Sequence, residues 1–297
     1  MTLASDRLLR RLEWQVLRRL DGRVQGAHRT LWRGVGIDVA DLREYTPEDD
    51  VRHIDWNVTA RLDEPYVRRY TEDRELTAWL VLDRSASMRV GAAEHGKDTA
   101  LRDLAVCLAR LFTGQGNPVG AVLFDNSAHR IIPPRTGRTQ ALRLAHELDR
   151  AAPHPVDSAG ATTDLAAMLR LAATTARRRS LVIVLSDFIG DAGWDRALAM
   201  LAHRHEVVAV RIVDPAELEL PDLGLVLVED AETGEQLLLD TGDPLLRQRF
   251  AEQAQARESD LDASLRRGAV TAHRVGTDED LVTALIGMVR RSDRRHR

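Results

Sequence analysis

The chain reads as an α/β fold, a mostly parallel sheet flanked by helices, preceded by an irregular, β-containing segment. Two observations predict it. From Leu76 on, short and nearly continuous apolar runs alternate with stretches of helical period, the pattern of strands buried on both faces and joined by crossover helices. Over residues 21 to 75, turn-formers and charges dominate instead, as in Thr46-Pro47-Glu48-Asp49-Asp50. The division expected is therefore 1–75 for an N-terminal helix and subdomain, and 76–297 for the α/β domain with a C-terminal hairpin and helices.

Each element has its own signal. Leu8, Leu12 and Val16, with Leu9, Leu17 and Leu20 beside them, recur at helical spacing and predict an amphipathic first helix. Leu76 to Leu82, Val119 to Phe124, Leu181 to Leu185 and Val207 to Val213 are the expected core strands, with His129 to Ile132 a shorter edge strand. Helices are expected near 98–113, 138–150, 163–178 and 193–203. Two apolar runs between Leu225 and Leu239 flank a segment containing Thr233-Gly234, which predicts a hairpin. A helix over 244–267, a strand from Thr271 to Val275 and a last helix over 279–291 complete the chain.

Composition excludes several classes. With 297 residues, 44% hydrophobic and 30% charged, the chain is globular in character, and a net charge of -4 provides no basic field for nucleic acid. The single cysteine, Cys107, rules out an intrachain disulfide framework and fits a reducing compartment. It shares a helical stripe with Leu104, Leu108 and Leu111 and reads as a core residue. Arginines interrupt the apolar residues of the first twenty, so no signal peptide is expected; nor is any stretch long enough for a membrane span. A cytoplasmic location is expected, and Asn57-Val58-Thr59 is then a chance glycosylation match. Lys97 is the sole lysine among 42 Lys and Arg residues, an arginine bias attributed to a GC-rich genome rather than to chemistry.

Chemistry is concentrated where the first core strand ends, at Asp83-Arg84-Ser85-Ala86-Ser87. Loops at the carboxyl ends of parallel strands form the binding crevice of such sheets. One carboxylate and two hydroxyls turned to a common centre suit Mg2+, which takes hard oxygen ligands in octahedral geometry and keeps some waters; Mn2+ suits the same set. Gly160-Ala161-Thr162-Thr163-Asp164 opens a later helix, and Ser186-Asp187 ends the apolar strand Leu181 to Leu185. Asp83 is expected in the loop after its strand, so that Asp83→Ala leaves the fold intact.

Asp-x-Ser-x-Ser, a Gly-x-Thr loop and an Asp at a later strand end, in this order, resemble the metal-ion-dependent adhesion site of von Willebrand factor type A domains, whose sheet is Rossmann-like. The resemblance implies that Ser85, Ser87 and Thr162 touch the metal directly or through water, with Thr163 as the register alternative. Asp83 and Asp187 would hold its waters, and a partner's carboxylate would complete the coordination. Arg84 departs from the small residue common at its position, either turning away from the metal or biasing the partner toward acidic surfaces.

Asp41-Leu42-Arg43-Glu44-Tyr45-Thr46-Pro47-Glu48-Asp49-Asp50-Val51-Arg52-His53-Ile54-Asp55-Trp56, followed by Ala60-Arg61, resembles the signature of the bacterial domain-of-unknown-function family 58. Members are often encoded beside MoxR-type AAA+ ATPases, which implies an adaptor linking such an ATPase to a client for metal insertion, assembly or remodelling. The signature itself lacks nucleophile, base or metal spacing and reads as an internal polar network of Asp49, Asp50, Arg52, Asp55 and Arg61 with Trp56 packed beneath it.

Other classes lack their signatures. Neither a Walker A sequence nor Gly-x-Gly-x-x-Gly follows a strand, Gly114-Gln115-Gly116 precedes one, and no Gly-x-Ser-x-Gly elbow exists. His203 and His205 stand two apart on a helix and find no third zinc ligand. An enzyme is not expected. The alternatives are a Mg2+-dependent phosphohydrolase using Asp83 and Asp187, or a metal-independent scaffold.

Overall fold

The computed structural model describes residues 39–46, 49, 51, 54–62, 64–70, 76–89, 96–125, 128–150, 163–229, 235–268 and 270–295. They fall into two compact units, one within Arg33–Leu76 and one from Thr77 on. The helix expected over Leu8 to Leu20 lies outside the described residues, as do Asp50 and Arg52 of the signature.

In the smaller unit, β1 (Val39–Glu44) pairs antiparallel with β2 (Tyr66–Tyr70), and α1 (Trp56–Leu62) lies between them in sequence. Asp49 closes the turn before it: its Oδ2 accepts from both the backbone N–H and the hydroxyl of Thr46 at 2.9 Å. Asp55 is buried, and its Oδ1 accepts from the Val58 N–H at 3.3 Å, the pattern of an N-cap. Trp56 was expected beneath this segment, but it is 69% exposed. The helix begins at the Asp55 cap, which leaves burial to the aspartate and turns the next side chain outward.

The larger unit runs β3 (Ala78–Asp83), α2 (Lys97–Gly114), β4 (Val119–Asp125), β5 (Ala128–Arg135), α3 (Arg138–Arg150), α4 (Leu165–Thr175), β6 (Leu181–Ser186), α5 (Trp194–Arg204), β7 (Glu206–Val213), β8 (Leu225–Glu229), β9 (Gln236–Asp240), α6 (Pro244–Arg267), β10 (Thr271–Gly276) and α7 (Leu281–Arg295). Six strands form one sheet in the order β10-β7-β6-β3-β4-β5, all parallel except β5, which runs antiparallel to β4 at one edge. This is the α/β architecture expected. β5 continues through Pro133 and Pro134, beyond the expected end at Ile132, because an edge strand tolerates residues without a donor N–H. α4 starts after Thr163, where Asp164 Oδ1 caps it by accepting from the Ala167 N–H at 2.7 Å.

β3 is buried along its whole length. Trp79 and Val81 face one core layer with Val184, Met168, Leu198 and Leu261, which brings α4, α5 and α6 onto that side. Leu80 and Leu82 point the other way, against α2. Each fully buried leucine or valine of this kind contributes about 1.5–3 kcal/mol, so the sheet centre is the rigid part from which the loops at its carboxyl edge are hung. Cys107 lies in this core, its thiol pushed up by burial, as a packing residue should be.

β8 and β9 form the expected hairpin as a separate two-stranded ribbon, on which Leu225, Leu227 and Leu238 share one exposed face. Among the described residues no helix is long and apolar enough to cross a membrane.

Candidate metal centre

The chain leaves β3 for β4 on one side and later returns to place β6 on the other, so β3 and β6 are neighbours at the point where strand order reverses. Asp83 is the last residue of β3, and Ser186 the last of β6. The sequence predicts Asp83 in the loop after its strand, but Asp83 is instead the strand's last residue and is fully buried, because the strand carries its backbone to the end of the sheet. Its Oδ2 accepts from the Ser186 hydroxyl at 2.6 Å, and its Oδ1 from the Ser85 N–H at 3.0 Å. Asp187 is fully buried too. Burial, and then the negative charge of Asp187, push the Asp83 carboxyl up to about 6, against the lowering effect of its hydrogen bonds.

After Asp83 the chain turns sharply, which brings the Ser85 and Ser87 hydroxyls within 3.1 Å of each other. Arg84 turns away from the centre: its Nε pairs with Asp98 at 2.9 Å and its Nη1 donates to the Leu148 carbonyl at 3.2 Å. Arg89 makes a parallel brace, donating to the Ser85 carbonyl and pairing with Asp125, both at 3.3 Å. Arg84 therefore anchors the loop to α2 and α3.

The β6 exit is equally constrained. Asp187 Oδ1 accepts from the Ile189 N–H at 3.0 Å, and the Ser186 hydroxyl accepts from the Phe188 N–H at 2.9 Å. Phe188 has φ 57, an uncommon conformation for a residue with a side chain, and its ring packs on Trp194 with centroids 5.4 Å apart. The threonine loop lies against this exit: the Asp191 N–H reaches the Thr163 carbonyl at 3.3 Å, and a Cβ on Gly190 would stand 2.5 Å from that oxygen. Glycine is required there for the two loops to meet. Thr163 is buried beside the exit, whereas Thr162 lies outside the described residues.

This donor set fits a hard divalent cation. Neighbouring oxygens of an octahedral site at 2.0–2.1 Å from the ion stand about 3 Å apart, close to the 3.1 Å between Ser85 and Ser87. Counting Lys97 and its two carboxylate partners, Asp187 and Glu217, together with Asp83 leaves a formal excess of two negative charges, which one divalent ion balances. No group of three or more His, Cys, Asp or Glu side chains that could hold a metal occurs among the described residues, so any ion here depends on the hydroxyls as well as the two aspartates.

Residues 41–260 match the family described as protein of unknown function DUF58. The chain belongs to the DUF58 family. Over 285 residues it is 39% identical to uncharacterized proteins of Mycobacterium bovis and Mycobacterium tuberculosis, covering 95% of this chain and 87% of each relative. Among solved structures it is similar to BatB from Bacteroides thetaiotaomicron, with a TM-score of 0.46 at 15% identity over 74% of this chain and 99% of that one. It is also similar to the VWA domain of SpRpn10, with a TM-score of 0.39 at 12% identity over 72% of this chain and 94% of that one. The sheet of this DUF58 protein is mostly parallel and flanked by helices, with the antiparallel strand β5 at one edge.

Of the residues read from the DUF58 sequence, Asp83, Ser85, Ser87 and Asp187 are brought to one end of β3 and β6. Sequence reasoning missed Ser186, which clamps Asp83. It also missed Lys97, whose ammonium donates to Asp187 Oδ2 at 2.8 Å and pairs with Glu217 Oε1. Arg211 was missed as well; it donates to the Asp187 carbonyl at 3.1 Å and pairs with Glu258 of α6. The one available signal was that Lys97 is the chain's only lysine.

Proposed function

We propose that this DUF58 protein is a protein-binding module and not an enzyme, with its binding surface centred on a Mg2+ ion, or Mn2+, held by Asp83, Ser85, Ser87, Thr162 and Asp187. The convergence of two buried aspartates and a close hydroxyl pair at the switch point of the sheet is the observation that carries this reading. Hydroxyl ligands leave the ion much of its positive charge, so a carboxylate offered by a partner gains more than at a site saturated with carboxylates. The partner class follows from the family resemblance: a MoxR-type AAA+ ATPase or its client, met in the cytoplasm, for assembly, metal insertion or remodelling.

Phosphoryl chemistry is the weaker reading. Both oxygens of Asp83 already accept hydrogen bonds, and Lys97 is committed to two carboxylates, which leaves it no part in clamping a phosphate.

The test is affinity capture with tagged wild type and Asp83→Asn, each in Mg2+ and in EDTA, against the purified ATPase and native lysate. Asparagine keeps the shape of a fully buried side chain that alanine would leave void. Retention of the ATPase or its client only by wild type in Mg2+ supports the proposal. Partners held equally in EDTA and by the variant overturn it and favour the metal-independent scaffold.

A further inference from the structure

Lys97 occupies the first position of α2, where the helix dipole disfavours a cation, and its side chain is 1% exposed. Burial works to lower its affinity for a proton, but Asp187 and then Glu217 outweigh that and hold it charged. An ammonium in so unfavourable a place persists because two carboxylates from separate elements close on it, Asp187 at the end of β6 and Glu217 in the short 3-10 turn Pro215–Glu217 after β7. Everywhere else in this chain a cationic side chain is arginine, whose planar fork would not fit a point between two carboxylates as a compact ammonium does.

The hydrogen bonds place this ammonium in contention with a metal. The Ile189 N–H takes Asp187 Oδ1, so Oδ2, which Lys97 holds, is the atom that a metal-bound water would also seek. Glu217 has capacity to spare, because its buried Oε2 has no hydrogen-bond partner among the described residues. Lys97 can thus lean toward Glu217 when Asp187 is drawn to an ion.

We propose that Lys97 determines how tightly the candidate centre holds its divalent ion, as an internal cation that competes for Asp187, with Glu217 as the partner that draws it off. This rests on the metal-dependent reading above. The pair acts in opposition: Lys97 weakens the grip on the ion, and Glu217 strengthens it.

The test is calorimetric titration of the full chain with MgCl2 alone, for wild type, Glu217→Gln and the double variant Lys97→Met/Glu217→Gln, each checked for cooperative unfolding in EDTA. The double variant removes the ammonium without stranding the Glu217 carboxylate. It is expected to bind Mg2+ about tenfold or more tighter than wild type, since Asp187 Oδ2 is freed of its ammonium partner while the net charge of the site, which loses one cation and one anion, is unchanged. Glu217→Gln alone, which leaves Lys97 wholly to Asp187, is expected to bind about tenfold more weakly. A purely structural role moves both variants the same way, toward weaker binding.

A folded double variant that binds Mg2+ no better than wild type overturns the proposal. So does a Glu217→Gln variant with unchanged or tighter binding, which carries the test if the double variant fails to fold. Absence of Mg2+ binding in wild type and both folded variants removes the metal reading itself, an outcome distinct from wild type binding with unchanged variants.

Discussion

The Ser186 hydroxyl donates to Asp83 Oδ2 at 2.6 Å and accepts from the Phe188 N–H at 2.9 Å, so a single oxygen ties the end of β6 to the end of β3 and to the bend that follows. Both partners are fully buried in the sheet edge. Ser186→Ala leaves one oxygen of a buried carboxylate and one backbone N–H without their partner. A loss of about 1–3 kcal/mol is expected, measured as a lower urea midpoint at unchanged m-value. A midpoint equal to wild type would show that water replaces the hydroxyl freely.

Asp83 gives a pH signature in EDTA. Its carboxyl rises from 3.8 to about 6 in the folded chain, so the native state holds this proton more tightly than the unfolded one. Its contribution to stability is therefore full below about pH 4, falls as pH rises toward 6, and is constant above, a change of at most about 3 kcal/mol. Asp83→Asn is expected to abolish that decline and to be more stable than wild type at pH 7 without metal. Urea midpoints from pH 4 to 8 for both proteins decide it; parallel curves refute the assignment.

Arg84 is expected to matter for stability and not for partner choice. Arg84→Ala leaves Asp98 with Arg102 alone and takes the Arg84 donor from the Leu148 carbonyl, and should cost about 1–3 kcal/mol, allowing for the partial exposure of Asp98. Thermal melts read the loss, and Mg2+-dependent capture of the partner below the melting range should remain at wild-type level. Selective loss of capture would place Arg84 at the binding surface instead.

Gly190→Ala sets a methyl group against the Thr163 carbonyl, 2.5 Å away where ordinary contact needs more than 3 Å. The two loops must part, at a cost of about 1–3 kcal/mol. Hydrogen exchange should quicken at Leu165 and Asp191, whose N–H groups both donate to that carbonyl. Unchanged exchange at both would show that the exit loop yields without moving the threonine loop.

The sheet was legible because its strands are apolar runs with no competing period: Leu181 to Leu185 has one reading as a buried strand, and the structure places β6 there. Asp83, Ser85, Ser87 and Asp187 were legible as an ordered set. Their surroundings were not, since Lys97 and Glu217 are 120 residues apart and meet only when α2 and the turn after β7 are folded against the same strand end. Trp56 misled for the opposite reason: a large aromatic in a polar segment reads as an anchor, but the local cap at Asp55 set its direction. The extent of β5 was underestimated because Pro133-Pro134 signals an end to pairing, which is true only of a strand with neighbours on both sides.

Those two prolines also decide what the sheet can become. Successive residues of a strand aim their N–H groups to opposite sides, so a proline pair removes a donor from the outer row as well as the inner one. Arg130 and Arg135 add charge along the same strand. The rim of the sheet at β5 is thereby interrupted as a template: a foreign strand laid along it, such as that of another copy crowded in during synthesis, meets a missing donor and added charge partway along.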